Sequence, residues 1–161
     1  MVATYLEMLN RMVAELAPRR LLCVGRPAAD HLAEYARTHG ETVTFESRPA
    51  SLLTPDGQPG HADLAYVAGT LEQLERPMAE QVLSRLRDVL ASRVLLHLDL
   101  RTLLHHDWRR NDLIALGFSE IRVPETGGGR DQLFQFNLFD YKVTPDWFNA
   151  GNWAHPHRWK P

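Results

Sequence analysis

The chain has 161 residues, 44% apolar and 24% charged, the make-up of one soluble globular domain long enough to bury a core. A formal charge of −2 and a pI near 6.4 leave no basic footprint for nucleic acid. One cysteine excludes an intrachain disulfide and a multi-cysteine metal site.

Neither a secretory leader nor an apolar run near the ~18 residues of a membrane span is present, so the expected location is cytoplasmic. Residues 1–18 read as a covering helix, 19–139 as the core of a single domain, and 140–161 as a tail.

Thr4 followed by Glu7 is a capping-box signal. Tyr5, Leu6, Leu9, Met12, Val13 and Leu16 then recur at helical spacing, and Pro18 ends the helix. Leu21–Val24 reads as a strand buried on both faces and ends at Gly25. Pro27 suits the first position of the next helix. Its expected packing face is Ala29, Leu32, Ala33 and Ala36, with Gly40 just past its end.

Thr42–Glu46 alternates as a second strand. The stretch 47–62, with Pro49, Pro55, Gly57, Pro59 and Gly60, predicts a loop with at most a brief turn of helix. Leu64–Ala68 is a third strand. Pro77 opens a helix lined on its inner side by Val82, Leu83, Leu86, Val89 and Leu90. A fourth strand, Arg93–Leu98, precedes a helix over 108–116 that Asp107 would cap and Gly117 would end. Ser119–Val123 and Leu133–Phe139 predict an antiparallel hairpin across Gly127–Gly129. Such alternation predicts an α/β domain, a Rossmann-like, mostly parallel sheet with helices on both faces.

Several local stretches carry a more specific likeness. They are Ala50–Gly57 followed by His61–Val67, then Gly69–Leu74, then Leu116–Val123. Together with the element order and terminal hairpin, they resemble the class I S-adenosylmethionine-dependent methyltransferases over roughly residues 20–139. The short link between Glu46 and Asp63 implies that one of the family's strands is lost.

The likeness also exposes departures. Where the family has an acidic residue and three alternating glycines, this chain has Cys23, Gly25, Pro27 and Ala29. Pro27 fixes φ and removes an N–H, and Arg26 brings a cation beside the place a sulfonium would occupy. Glu46 points the other way, because an acidic side chain about 20 residues past Gly25 suits ribose hydroxyls. The alternative reading is a solvated surface glutamate.

If a cofactor of this kind binds, Gly25, Glu46, Ala68 and Gly69 would cradle it. Arg26 with the following helix start is at least as well suited to an anion.

Three further groups bear on chemistry. His105, His106 and Asp107, with His155 and His157 in the tail, form a candidate metal set, set against solvated or structural histidines. Arg26, Arg101, Arg109 and Arg110 offer either an anionic pocket or a charged face. His97 interrupts an apolar strand and reads as a core or sheet-edge histidine with a backbone partner before it reads as a base. Cys23 should be an inert small hydrophobe.

Trp147, Trp153 and Trp159 make the tail a cover for the sheet or a contact surface for a protein partner or second copy. The leading expectation is a degenerate methyltransferase-like binding or assembly module that needs no cofactor. A divergent S-adenosylmethionine-dependent methyltransferase is the alternative, and a small metal-dependent His/Asp protein is the third.

Overall fold

The structure is a computed structural model that describes residues 5–99, 101, 108–123 and 131–141. Its elements are α1 (Tyr5–Leu16), β1 (Arg20–Val24), α2 (Arg26–His31), α3 (Ala33–Thr38), β2 (Val43–Ser47), β3 (Ala62–Val67), α4 (Arg76–Arg85), β4 (Ala91–Asp99), α5 (Arg110–Ala115), β5 (Ser119–Ile121), β6 (Asp131–Asn137) and α6 (Leu138–Tyr141).

Six strands form one sheet in the order β2-β1-β3-β4-β6-β5. The first four run parallel, and β6 lies antiparallel between β4 and β5. This is the doubly wound, methyltransferase-like arrangement that the likeness implies. The link from β2 to β3 holds only two short 3₁₀ turns, Pro49–Leu53 and Pro55–Gly57, so β2 is left at the sheet edge.

Residues alternate between two cores, as the pleat requires. Leu22 and Val24 of β1 and Ala65 and Val67 of β3 face α4 and Trp108. Leu21, Cys23, Leu64 and Tyr66 face α1, α2 and α3. Helices thus cover both faces.

Three helices depart from the expected patterns. The segment predicted as one helix from Pro27 breaks at Leu32, whose φ and ψ of −105° and 10° separate α2 from α3. The break shifts the helical phase, so the buried residues are Ala28, Leu32 and Tyr35, while Ala33 is exposed. Gly40 follows the helix without the left-handed φ that a glycine cap supplies.

After α4 the backbone widens to a π turn over Leu86–Leu90. An extra residue per turn keeps Leu86 and Leu90 inward and rotates Val89 out, to 48% exposure. The helix before β5 starts at Arg110, because the Arg109 N–H donates to Asp112 Oδ2 at 2.7 Å. Gly117 ends it at φ 95°. Thr4, Asp107 and Gly127–Gly129 lie outside the described residues.

Ala17, just past α1, holds φ at 44°, a left-handed conformation that a Cβ disfavours. Replacing Ala17 with Gly should raise unfolding stability by about 1 kcal/mol, read as a higher urea midpoint at unchanged m-value.

Candidate functional site

In open α/β sheets ligands bind beyond the carboxyl ends of the strands. Here that edge is built first by the turns after β1 and β3. Gly25 leaves β1 with φ 88° and ψ 155°, and Gly69 follows β3 with φ 63°. Only glycine holds such angles without strain.

The space each glycine leaves is filled by the other turn. A Cβ on Gly69 would lie 2.5 Å from Pro27 Cγ. One on Gly25 would collide with Thr70 Oγ1 and come within 3.0 Å of Ala68 O. The Thr70 hydroxyl is buried and sits 3.2 Å from Val24 O and 3.3 Å from Ala68 O, sharing its proton between the two strand ends. The Gly25 N–H donates to Ser47 O at 3.0 Å.

Both glycines therefore serve mutual packing of the two turns. The position where the resemblance implies an acidic anchor for a methionine-type chain is the buried Cys23.

Arg26 has its carboxylate partner on its own helix. It pairs with Asp30 at 3.3 Å, one helical turn on, with both side chains well exposed, a contact of little energetic weight. Arg110 pairs with Glu120 at 2.6 Å, and the Arg109 backbone caps α5. Arg26 and Arg110 are thus each engaged by a carboxylate near their own element.

Glu46 stands beside Cys23 in the β1–β2 register. It is exposed and takes part in no hydrogen bond or ion pair among the described residues. Cys23 is fully buried. Burial, helped by the Glu46 charge, pushes its thiol up to about 12, so it carries no thiolate at neutral pH.

The structure also assembles a polar cluster that sequence reasoning missed. Tyr5 of α1, His31 of α2, Tyr66 of β3, His97 of β4 and Asp131 of β6 converge near the carboxyl ends of β3 and β4. The Tyr5 and Tyr66 hydroxyls are 2.5 Å apart, and Tyr66 Oη is 2.8 Å from His31 Nδ1. His97 Nε2 lies 2.8 Å from Asp131 Oδ1. The His97 ring packs 4.6 Å from that of Tyr5 and 5.6 Å, edge-on, from that of His31.

Burial raises both tyrosines well above their ordinary value. Burial, then the neighbouring His97, lowers His31, against the opposing charges of Asp30 and Asp131. The outer side of His31 lines a groove of about 370 Å³ between α1 and α2–α3, with Glu7, Asp30 and Glu34.

His97 thus has a carboxylate partner where a backbone partner was expected. The remaining members were hidden because Tyr5 and Tyr66 lie in apolar runs and count there as core residues. The only sequence signal was polar-tipped residues near the ends of adjacent strands.

His105, His106, Asp107, His155, His157 and the tail tryptophans Trp147, Trp153 and Trp159 lie outside the described residues. Among the described residues no group of three or more His, Cys, Asp or Glu is placed to hold a metal ion. Nor is any described helix long and apolar enough to cross a membrane.

Comparison with curated protein sequences finds no match. A family model described as "Family of unknown function (DUF6231)" matches residues 3–161. Among solved structures, the methyltransferase domain of a bacterial Hen1 superposes at TM-score 0.55 and 12% identity, covering 83% of this chain and 97% of that one. A second structure of that domain gives 0.51 and 15%, covering 83% and 96%. The small RNA methyltransferase HEN1 gives 0.56 and 12%, covering 87% of this chain but only 25% of the larger protein. At such identities the likeness is one of fold.

Proposed function

We propose that this chain, which belongs to the DUF6231 family, uses a methyltransferase-like scaffold without ordinary methyl transfer, as a binding or assembly module. One observation carries the reading: Pro27 fills the space beside Gly69, and Thr70 fills the space beside Gly25. The two turns that would hold an S-adenosylmethionine methionine chain are closed on each other. The absent acidic anchor, replaced by a buried Cys23, points the same way.

Calorimetric titration with S-adenosylmethionine and S-adenosylhomocysteine tests this. The expected result is no binding tighter than about 1 mM. Micromolar binding that disappears on Glu46→Ala overturns it.

That second outcome belongs to the alternative, a divergent methyltransferase, which one observation favours. Glu46 is exposed and uncommitted beside the end of β1, where ribose hydroxyls would reach it. Methyl transfer would then depend on proximity and orientation, with Ala68 and Gly69 lining the cofactor.

In either case the partners proposed are a protein or a second copy, with Trp147, Trp153 and Trp159 adding aromatic contact area. A single buried cysteine suits a reducing compartment.

A further inference from the structure

The two edges of the sheet are finished differently. β5 has three residues, and its Glu120 is clamped by Arg110 at 2.6 Å. A short, charged strand is an ordinary guard against unwanted pairing. β2 has five residues, Val43-Thr-Phe-Glu-Ser47, without a proline or lysine. Val43 is 52% exposed.

Its backbone is half used. The Val43 N–H donates to Arg19 O, and Ser47 O accepts from the Gly25 N–H. Residues 43, 45 and 47 therefore face β1. By the alternation of a parallel ladder, Thr44 and Glu46 aim both N–H and C=O outward. Among the described residues nothing bonds those four groups.

We infer that β2 is a self-complementary edge and that a second copy of this chain pairs with it, antiparallel, about Phe45. Only this register joins outward groups to outward groups in full. Thr44 meets the second copy's Glu46 and Glu46 meets its Thr44, giving two hydrogen-bonded pairs and four bonds. Val43 comes opposite Ser47, so no like charges stand directly opposed within the strand.

The two Phe45 rings fall on the axis as a non-hydrogen-bonded pair, where side chains approach most closely. Each ring already carries the Arg20 guanidinium 4.6 Å above its centroid. The pairing covers Val43 and the open side of Phe45, and continues the sheet across a two-fold axis. The inference is independent of whether a cofactor binds.

Sedimentation of the full chain between about 1 and 100 µM should show a species of twice the 18.4 kDa chain mass. Thr44→Pro removes only an outward N–H, so it should keep the far-ultraviolet spectrum and thermal midpoint of a folded chain while abolishing the dimer. Should Thr44→Pro misfold, Val43→Lys, at an exposed position, gives the same readout. Amide exchange at Thr44 and Glu46 should speed up on dilution.

A wild-type monomer throughout that range overturns the inference. So does a dimer that survives both substitutions, or one that is lost only when residues 142–161 are removed. Strand exchange protection that appears only with added protein of another kind also overturns it, in favour of a heterologous partner.

Discussion

Gly25→Ala should be among the most damaging single substitutions in this chain, with a cost of roughly 2–6 kcal/mol. Two terms add. The backbone at φ 88° and ψ 155° lies in a region open only to glycine, worth on the order of 1–3 kcal/mol. The new methyl also drives into Thr70 Oγ1 and presses on Ala68 O, and overpacking of this kind costs about 1–3 kcal/mol. Domains of this size are stable by only about 5–15 kcal/mol, so a cost of this size is a large part of the variant's margin.

The measurement is urea unfolding followed by circular dichroism, with a lower midpoint at unchanged m-value. Thr70→Ala in the same background should return the part of the clash due to Oγ1 and leave the backbone part and the contact with Ala68 O. A Gly25→Ala cost below about 0.5 kcal/mol would mean that the two turns are not packed together. The closed-cradle reading would fall with it.

That turn shows how much of the molecule is legible in the sequence. Gly25 announces itself as the end of a central strand, and the strand order follows from alternation and the hairpin. The spaces beside Gly25 and Gly69 do not announce who fills them. Pro27 and Thr70 are 43 positions apart in number alone (27 to 70), and only strand adjacency brings their turns into contact.

Local deviations are hidden for a similar reason. A fixed 3.6-residue period places Val89 inside, and the π turn at Leu86–Leu90 moves it out. A continuous helix from Pro27 would bury Ala33 and Ala36, and the break at Leu32 substitutes Tyr35, whose hydroxyl reaches Thr42 Oγ1 at 3.3 Å. The Tyr5–Tyr66–His31 cluster joins residues that hydrophobic patterning counts as core, because a tyrosine ring satisfies the pattern while its hydroxyl does not.

The hydroxyl makes Tyr66→Phe the other large effect. Tyr66 is fully buried, and its oxygen is shared by Tyr5 at 2.5 Å and His31 Nδ1 at 2.8 Å. Removing it strands a buried phenol and a half-buried imidazole, at about 1–3 kcal/mol for a buried group left unpaired. With a neutral His31 protonated on Nε2 the chain is complete: Tyr5 O–H donates to the Tyr66 oxygen, and Tyr66 O–H donates to Nδ1. A proton on Nδ1 reverses the order and leaves the Tyr5 hydrogen without an acceptor among the described residues.

His31 is accordingly held below its ordinary value, by burial first and His97 second, with Asp30 and Asp131 opposing. A depressed histidine means that the unfolded chain takes up the proton first. Stability is therefore full above the unfolded value of about 6.5 and declines as pH falls from there toward the lower folded value. Unfolding midpoints measured from pH 8 to 5 should fall over that window. His31→Gln, which keeps a hydrogen-bonding group but cannot titrate, should flatten the decline at a cost of about 1 kcal/mol at pH 8. In the double variant with Tyr66→Phe the costs should be less than additive, because both substitutions break the same chain of hydrogen bonds. An unchanged pH profile in His31→Gln would remove His31 as its source and assign the decline to carboxylates elsewhere.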